Sequence, residues 1–204
     1  MRGVTRVLVA TDDERVARAV RAFGGDLVMT RSDHVTGTDR VAEVAKTLRV
    51  AVVVNLQGDE PVFDPEMVER MVARLARDRG VDIVTACHAL YHADAFRSPH
   101  VVKVVIDKKG HALYFSRSPI PSGAMEHAAG AYRHIGAYAF RRDALARFTR
   151  LPRTPLEISE RLEQLRALEH GFKIAVVETD RETVGVDVPA DIKNVERAMR
   201  ESID

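Results

Sequence analysis

Gln57-Gly58-Asp59-Glu60-Pro61 follows directly on the most apolar strand-like run of the chain. Glycine lets backbone come close to a ligand, and an aspartate placed just beyond a strand end can hold a divalent cation. The same five residues also suit a plain polar strand-to-helix turn. A second carboxylate, Asp187, ends the stretch Val184-Gly185-Val186-Asp187 just before Pro189. Alone it reads as a helix cap. Taken with Asp59 it supplies the second of the one or two carboxylates that typically hold Mg²⁺ beside substrate phosphates.

Two further groupings carry polar chemistry. Arg31-Ser32-Asp33-His34-Val35-Thr36-Gly37-Thr38-Asp39-Arg40 opens a helix, and its backbone N–H groups, hydroxyls and two arginines suit a nucleotide's phosphate, ribose or base. The competing reading is a solvated loop with Asp39 as N-cap. His34 has no partner at metal-ligand spacing. Downstream, Tyr114-Phe115-Ser116-Arg117 and Tyr132-Arg133-His134-Ile135-Gly136-Ala137-Tyr138 put cations and ring hydroxyls near aromatic groups, as a pocket for an acidic, polyhydroxylated ligand requires. Phe115 and Ile135 read as core. Glu157, Glu160 and Gln164 share one face of an expected helix, either as a solvated face or as a sugar-contacting one. No Walker-type loop, zinc-ligand spacing or Ser-His-Asp pattern occurs.

The elements that must position these residues follow from hydrophobic periodicity. Strands are expected over 4–10, 26–29, 50–56, 82–89, 132–140 and 173–177, and helices over 14–23, 39–48, 65–78, 155–169 and 189–199. Asp64 and Thr154 are expected N-caps, with a proline next to each, and Gly171 lies just past the end of the helix that Thr154 opens. Residues 101–106 and 111–115, joined by Asp107-Lys108-Lys109-Gly110, form an expected β-hairpin. The strand–helix alternation of the first half predicts a parallel α/β sheet.

The 204 residues are 46% hydrophobic, with 31 basic and 30 acidic side chains, which gives a net charge of +1. That is enough apolar content for one sizeable core, and near-cancellation of charge predicts no nucleic-acid partner. No apolar run approaches membrane-spanning length, so no membrane insertion is expected. The single cysteine, Cys87, sits in an apolar strand and fits a reducing, cytoplasmic setting.

Arg31–Arg40, Asn55–Pro61, Val101–Pro121, Tyr132–Arg142, Pro155–Gly171 and Thr183–Ile192 together resemble the 3-deoxy-D-manno-octulosonate cytidylyltransferases, in the same order along essentially the whole chain. The resemblance implies a Rossmann-like nucleotidyltransferase of the nucleotide-diphospho-sugar transferase type. That fold has a mixed sheet, helices on both faces and a β-hairpin insertion that helps form a homodimer. It further implies transfer of CMP from CTP to 3-deoxy-D-manno-octulosonate (Kdo), with Mg²⁺, giving CMP-Kdo and diphosphate for lipopolysaccharide biosynthesis. By motif, Asp59 and Asp187 correspond to the metal-binding catalytic pair. Arg31, Ser32, Asp33, Gly37, Thr38 and Arg40 correspond to the nucleotide segment, and Gln57, Arg117, His134, Tyr138, Glu160 and Gln164 to the sugar pocket. The alternatives are a cytidylyltransferase for 8-amino-Kdo or a sialic-acid-like sugar, and a non-catalytic nucleotide-binding or dimerisation module.

The chain departs from the family pattern at its start. Residues 7–12 resemble the family's second strand, and nothing here resembles its first strand or the Arg- and Lys-bearing loop that grips the triphosphate. The expectation is a single domain, truncated at the N-terminus relative to the family and weakly active or inactive, with a true start upstream accounting for the gap. Between Pro121 and Tyr132 the chain also lacks the tryptophan and basic residue common in the family.

Overall fold

The computed structural model describes residues 1, 3–58, 61–126, 130–181, 186 and 192–201. In order, the elements are β1 (Val9–Thr11), α1 (Glu14–Ala22), β2 (Leu27–Met29), α2 (Gly37–Lys46), β3 (Val52–Asn55), α3 (Pro65–Arg77), β4 (Ile83–Ala89) and α4 (Ala93–Arg97). The second half comprises β5 (Lys103–Ile106), β6 (Ala112–Ser116), β7 (Tyr132–Arg141), α5 (Arg142–Phe148), α6 (Pro155–Glu160), α7 (Gln164–Glu169), β8 (Ile174–Glu178) and α8 (Ile192–Glu201).

The sheet is mixed, not parallel throughout. β4 runs parallel to β8, but β7 lies antiparallel between β4 and β3 and also meets β5, which pairs antiparallel with β6. The early strand–helix alternation predicts a parallel sheet; the long β7, entering from the second half of the chain, separates β3 from β4 and makes it mixed. β1 and β2 form a separate two-stranded parallel sheet beside this six-stranded one. Among the described residues β1 pairs only with β2, and β3 only with β7, so each keeps one open edge.

Both faces of the main sheet are covered. Asp64 caps α3 by accepting from the Glu66 amide at 3.0 Å, and Pro65 opens the helix. The helix buries Met67, Val68, Met71 and Leu75 on one stripe, against Val84, Ala86, Ile135, Ala137 and Ala139. On the opposite face Phe115, Tyr138, Phe140, Phe148, Leu165 and Phe172 form the larger cluster. Alternation along β7 assigns Ala137 and Ala139 to one face and Tyr138 and Phe140 to the other.

Four sequence expectations are corrected. The first strand is only Val9–Thr11, because residues 4–8 find no partner strand among the described residues and Val4 packs instead against the core cluster that α3 covers. The helix at the nucleotide segment starts at Gly37, and Thr36 caps it by accepting from the Asp39 amide at 3.1 Å; Asp39 lies inside the first turn. The helix expected over 155–169 is two helices, broken at Arg161, whose φ of 56° is left-handed. Helices α4 and α5 fall where no helix is expected. The hairpin matches its expectation: Asp107 accepts from the Lys109 and His111 amides at 2.8 Å each, and Gly110 takes the φ of 79° that closes the turn. No helix among the described residues is long and apolar enough to cross a membrane.

Candidate active site

β3 delivers Asn55, Leu56, Gln57 and Gly58 at its carboxyl end. Gln57 reaches the nucleotide segment: its Oε1 lies 3.5 Å from where a Cβ on Gly37 would stand. A Cβ built on Gly58 would meet nothing within 4 Å among the described residues. Asp59 and Asp187, the expected metal pair, lie outside the described residues. No group of three or more metal-capable side chains gathers among the described residues.

The nucleotide segment divides into exposed and buried halves. Arg31, Ser32 and Asp33 are exposed, with Arg31 Nε 3.2 Å from Asp33 Oδ1. His34 pairs with Glu43. Arg40 bonds Asp12 at 3.1 Å and the Thr30 hydroxyl, so it ties the ends of β1 and β2 to α2. Thr38 is 1% exposed and sits in the middle of a chain of hydrogen bonds. Asn55 Nδ2 donates to Thr38 Oγ1 at 3.2 Å, and the Thr38 hydroxyl donates to Glu163. Burial pushes the Glu163 carboxyl above its usual range, opposed by the Thr38 hydrogen bond and by Arg166. This chain joins the end of β3, the nucleotide segment and the start of α7.

Glu163 is not among the expected site residues, although its helix is. Its role depends on a contact with Thr38, 125 residues away in sequence, which periodicity does not reveal. A cavity of about 420 Å³ lies at this junction, lined by Thr36, Asp39, Arg153, Arg161, Glu163 and Arg166 among others.

The expected sugar residues form two neighbouring groups. In the first, Glu160 accepts from Ser116 Oγ at 2.5 Å and from the Arg117 amide at 3.0 Å, while Arg117 Nε donates to the Glu160 carbonyl at 3.3 Å. In the second, His134 is buried between Phe115 and Tyr138, with ring centroids 4.8 and 5.6 Å away. The Thr85 hydroxyl has one proton and sits 2.8 Å from the Ala137 carbonyl, which assigns His134 Nε2 as the donor to Thr85 Oγ1 at 2.8 Å and leaves Nδ1 as an acceptor. β5 links the groups, since Lys103 pairs with Ser116 on one side and Arg133 on the other. Gln164 is 5% exposed and its Nε2 is buried with no hydrogen-bond partner among the described residues, a donor that a ligand can satisfy.

Burial, reinforced by Arg133, pulls the His134 imidazole from 6.5 down to about 3. Between these values the unfolded chain binds a proton that the folded chain refuses. Stability therefore falls as pH drops through this window, by about 1.4 kcal/mol per unit, and is level above it. Urea midpoints measured near pH 7 and pH 5 check this: the native chain is expected to lose more stability on acidification than His134→Gln, and equal losses contradict it. Cys87 is wholly buried, and burial pushes its thiol up to about 12, which makes it a packing residue and not a nucleophile.

Known proteins share this arrangement. Residues 2–174 match the cytidylyltransferase family profile. The chain is 50% identical to the 3-deoxy-manno-octulosonate cytidylyltransferase of Syntrophotalea carbinolica, over 97% of this chain and 82% of that protein. The chain belongs to the 3-deoxy-manno-octulosonate cytidylyltransferase family. It is also 48% identical to the Geobacter metallireducens protein of the same description, again over 97% of this chain and 82% of that one. A solved CMP:2-keto-3-deoxy-manno-octonic acid synthetase complexed with CTP superposes with a TM-score of 0.93 at 43% identity, covering 99% of this chain and 83% of that one. A putative glucose-1-phosphate thymidylyltransferase from Bacillus anthracis, at 12% identity and a TM-score of 0.64, shares the nucleotidyltransferase fold. The Rossmann-like mixed α/β fold and the nucleotidyltransferase class are those of this family.

Proposed function

We propose that this cytidylyltransferase transfers CMP from CTP to Kdo, releasing diphosphate. The observation that carries the reading is the convergence of three segments: the β3 end, the Gly37–Arg40 helix start and α7 are joined by the Asn55–Thr38–Glu163 hydrogen bonds. Next to them lies a group of polar side chains suited to an acidic sugar, Arg117, Glu160, His134 and Gln164. The family membership supports the same substrates.

In the reaction the anomeric hydroxyl of Kdo attacks the α-phosphorus of CTP. The new O–P bond forms as the bond to the β-phosphate oxygen breaks, diphosphate leaves with the electron pair, and the hydroxyl proton passes to solvent water. Catalysis of such transfers rests on positioning and on stabilising charge. Arg117 supplies a cation for the sugar carboxylate, while Gln57, His134, Tyr138 and Gln164 supply hydrogen bonds that orient the hydroxyls. The Gly37 and Thr38 amides, which take no part in the Thr36 cap, and the Arg31 side chain face the nucleotide's negative charge. Asp59 and Asp187 would hold Mg²⁺, since their hard carboxylate oxygens suit it. Bound there, Mg²⁺ neutralises phosphate charge.

The product serves lipopolysaccharide biosynthesis in the cytoplasm. The enzyme acts as a homodimer through the β5–β6 hairpin, whose Leu113, 60% exposed, offers apolar surface for such a contact. Turnover of Kdo, 8-amino-Kdo and a sialic acid side by side tests the substrate. Preference for Kdo supports the reading; preference for either other sugar acid replaces it.

A further inference from the structure

We propose that Lys103 is a positioning residue for the sugar-acid pocket, acting through Arg117; the proposal rests on the substrate reading above. Lys103 lies on β5 and is 0% exposed. A buried ammonium is costly unless all of its protons find acceptors. Here they do: Nζ donates to the Ser98 carbonyl at 2.9 Å, to the Val101 carbonyl at 2.6 Å and to the carbonyl of Arg117.

These acceptors tie Lys103 to both ends of Arg117. One bond fixes the Arg117 backbone directly. The other two fix the 98–101 turn, and the Pro99 carbonyl in that turn accepts from Arg117 Nη1 at 3.1 Å. With Nε bonded to the Glu160 carbonyl, the guanidinium is held from two sides. An arginine has five N–H donors; two are used in these bonds, and among the described residues the remaining three have no partner and stay available for a carboxylate. A purely structural lysine would hold the fold together without regard to where those donors point. Lys103 instead directs every proton to the two segments that orient Arg117.

The test uses the full chain. The Arg117 Nε–H signal in ¹H–¹⁵N NMR, assigned by its loss in Arg117→Lys, is expected to be sharp and slowly exchanging in the native chain and to collapse toward free arginine in Lys103→Met. Calorimetric titration is expected to show Kdo affinity about tenfold to a hundredfold weaker in Lys103→Met, with CTP affinity unchanged. In an Arg117→Ala background the same substitution is expected to cost no further Kdo affinity, the signature of coupling through Arg117. Should Lys103→Met fail to fold, Pro99→Gly loosens the same turn from an exposed position and is expected to weaken Kdo binding in the same direction. An unchanged Arg117 signal in these variants, or additive losses in the Arg117→Ala background, overturns the proposal. An ordered Arg117 signal in a native chain that binds no Kdo overturns the substrate reading and with it the sugar half of this proposal.

Discussion

Replacing Asp59 by Asn is expected to lower CTP turnover by about three orders of magnitude while leaving the urea unfolding midpoint unchanged. The substitution keeps the shape of the side chain and removes only its charge. The physical case rests on where β3 ends. Gln57 reaches toward Gly37 of the nucleotide segment, and the residues that follow it in sequence continue from that end of β3. An amide there would be a poor ligand for Mg²⁺, so the charge neutralisation that a bound ion would supply to the phosphates would be lost. Steady-state diphosphate release at saturating CTP and Kdo is the measurement. A fall of less than about tenfold contradicts the role given to Asp59.

Glu157→Leu is expected to destabilise the fold by about 3–5 kcal/mol, read from urea unfolding. Glu157 is 3% exposed and Arg166 5% exposed, with Arg166 Nε 3.2 Å from Glu157 Oε2. The Arg166 guanidinium also stacks 4.4 Å over the Phe148 ring and donates to the Leu151 carbonyl at 3.1 Å. Removing the carboxylate leaves that cation buried and without its counter-charge, and desolvation makes this costly. Glu157 further accepts from the Thr154 amide at 3.3 Å, so the start of α6 loosens as well. The double variant Glu157→Leu with Arg166→Met removes both charges and is expected to recover much of the loss. A single substitution costing under about 1 kcal/mol would show that the pair is not what anchors α6 to α7. The pair matters to function because these two helices carry Glu160, Glu163 and Gln164.

Much of this arrangement is legible in the amino-acid sequence. The strand before Gln57, the cap at Asp64 and the hairpin closed by Gly110 each announce themselves within a few residues, because local periodicity and turn chemistry decide them. What stays hidden is non-local. Nothing within Tyr132–Arg141 says that it will lie antiparallel between β3 and β4, since that depends on partners about fifty residues or more away. The break at Arg161 falls within an unbroken helical pattern, and the left-handed backbone there comes from packing, not from a glycine. Nothing around Lys103 in the sequence points to its setting, and only the fold reveals three carbonyls around its ammonium. Glu163 reads as surface charge until Thr38 is brought against it.

The measurement closest to the central claim is diphosphate release from CTP and Mg²⁺ with and without Kdo. The account predicts release that requires Kdo. No release, or release that does not depend on Kdo, contradicts it.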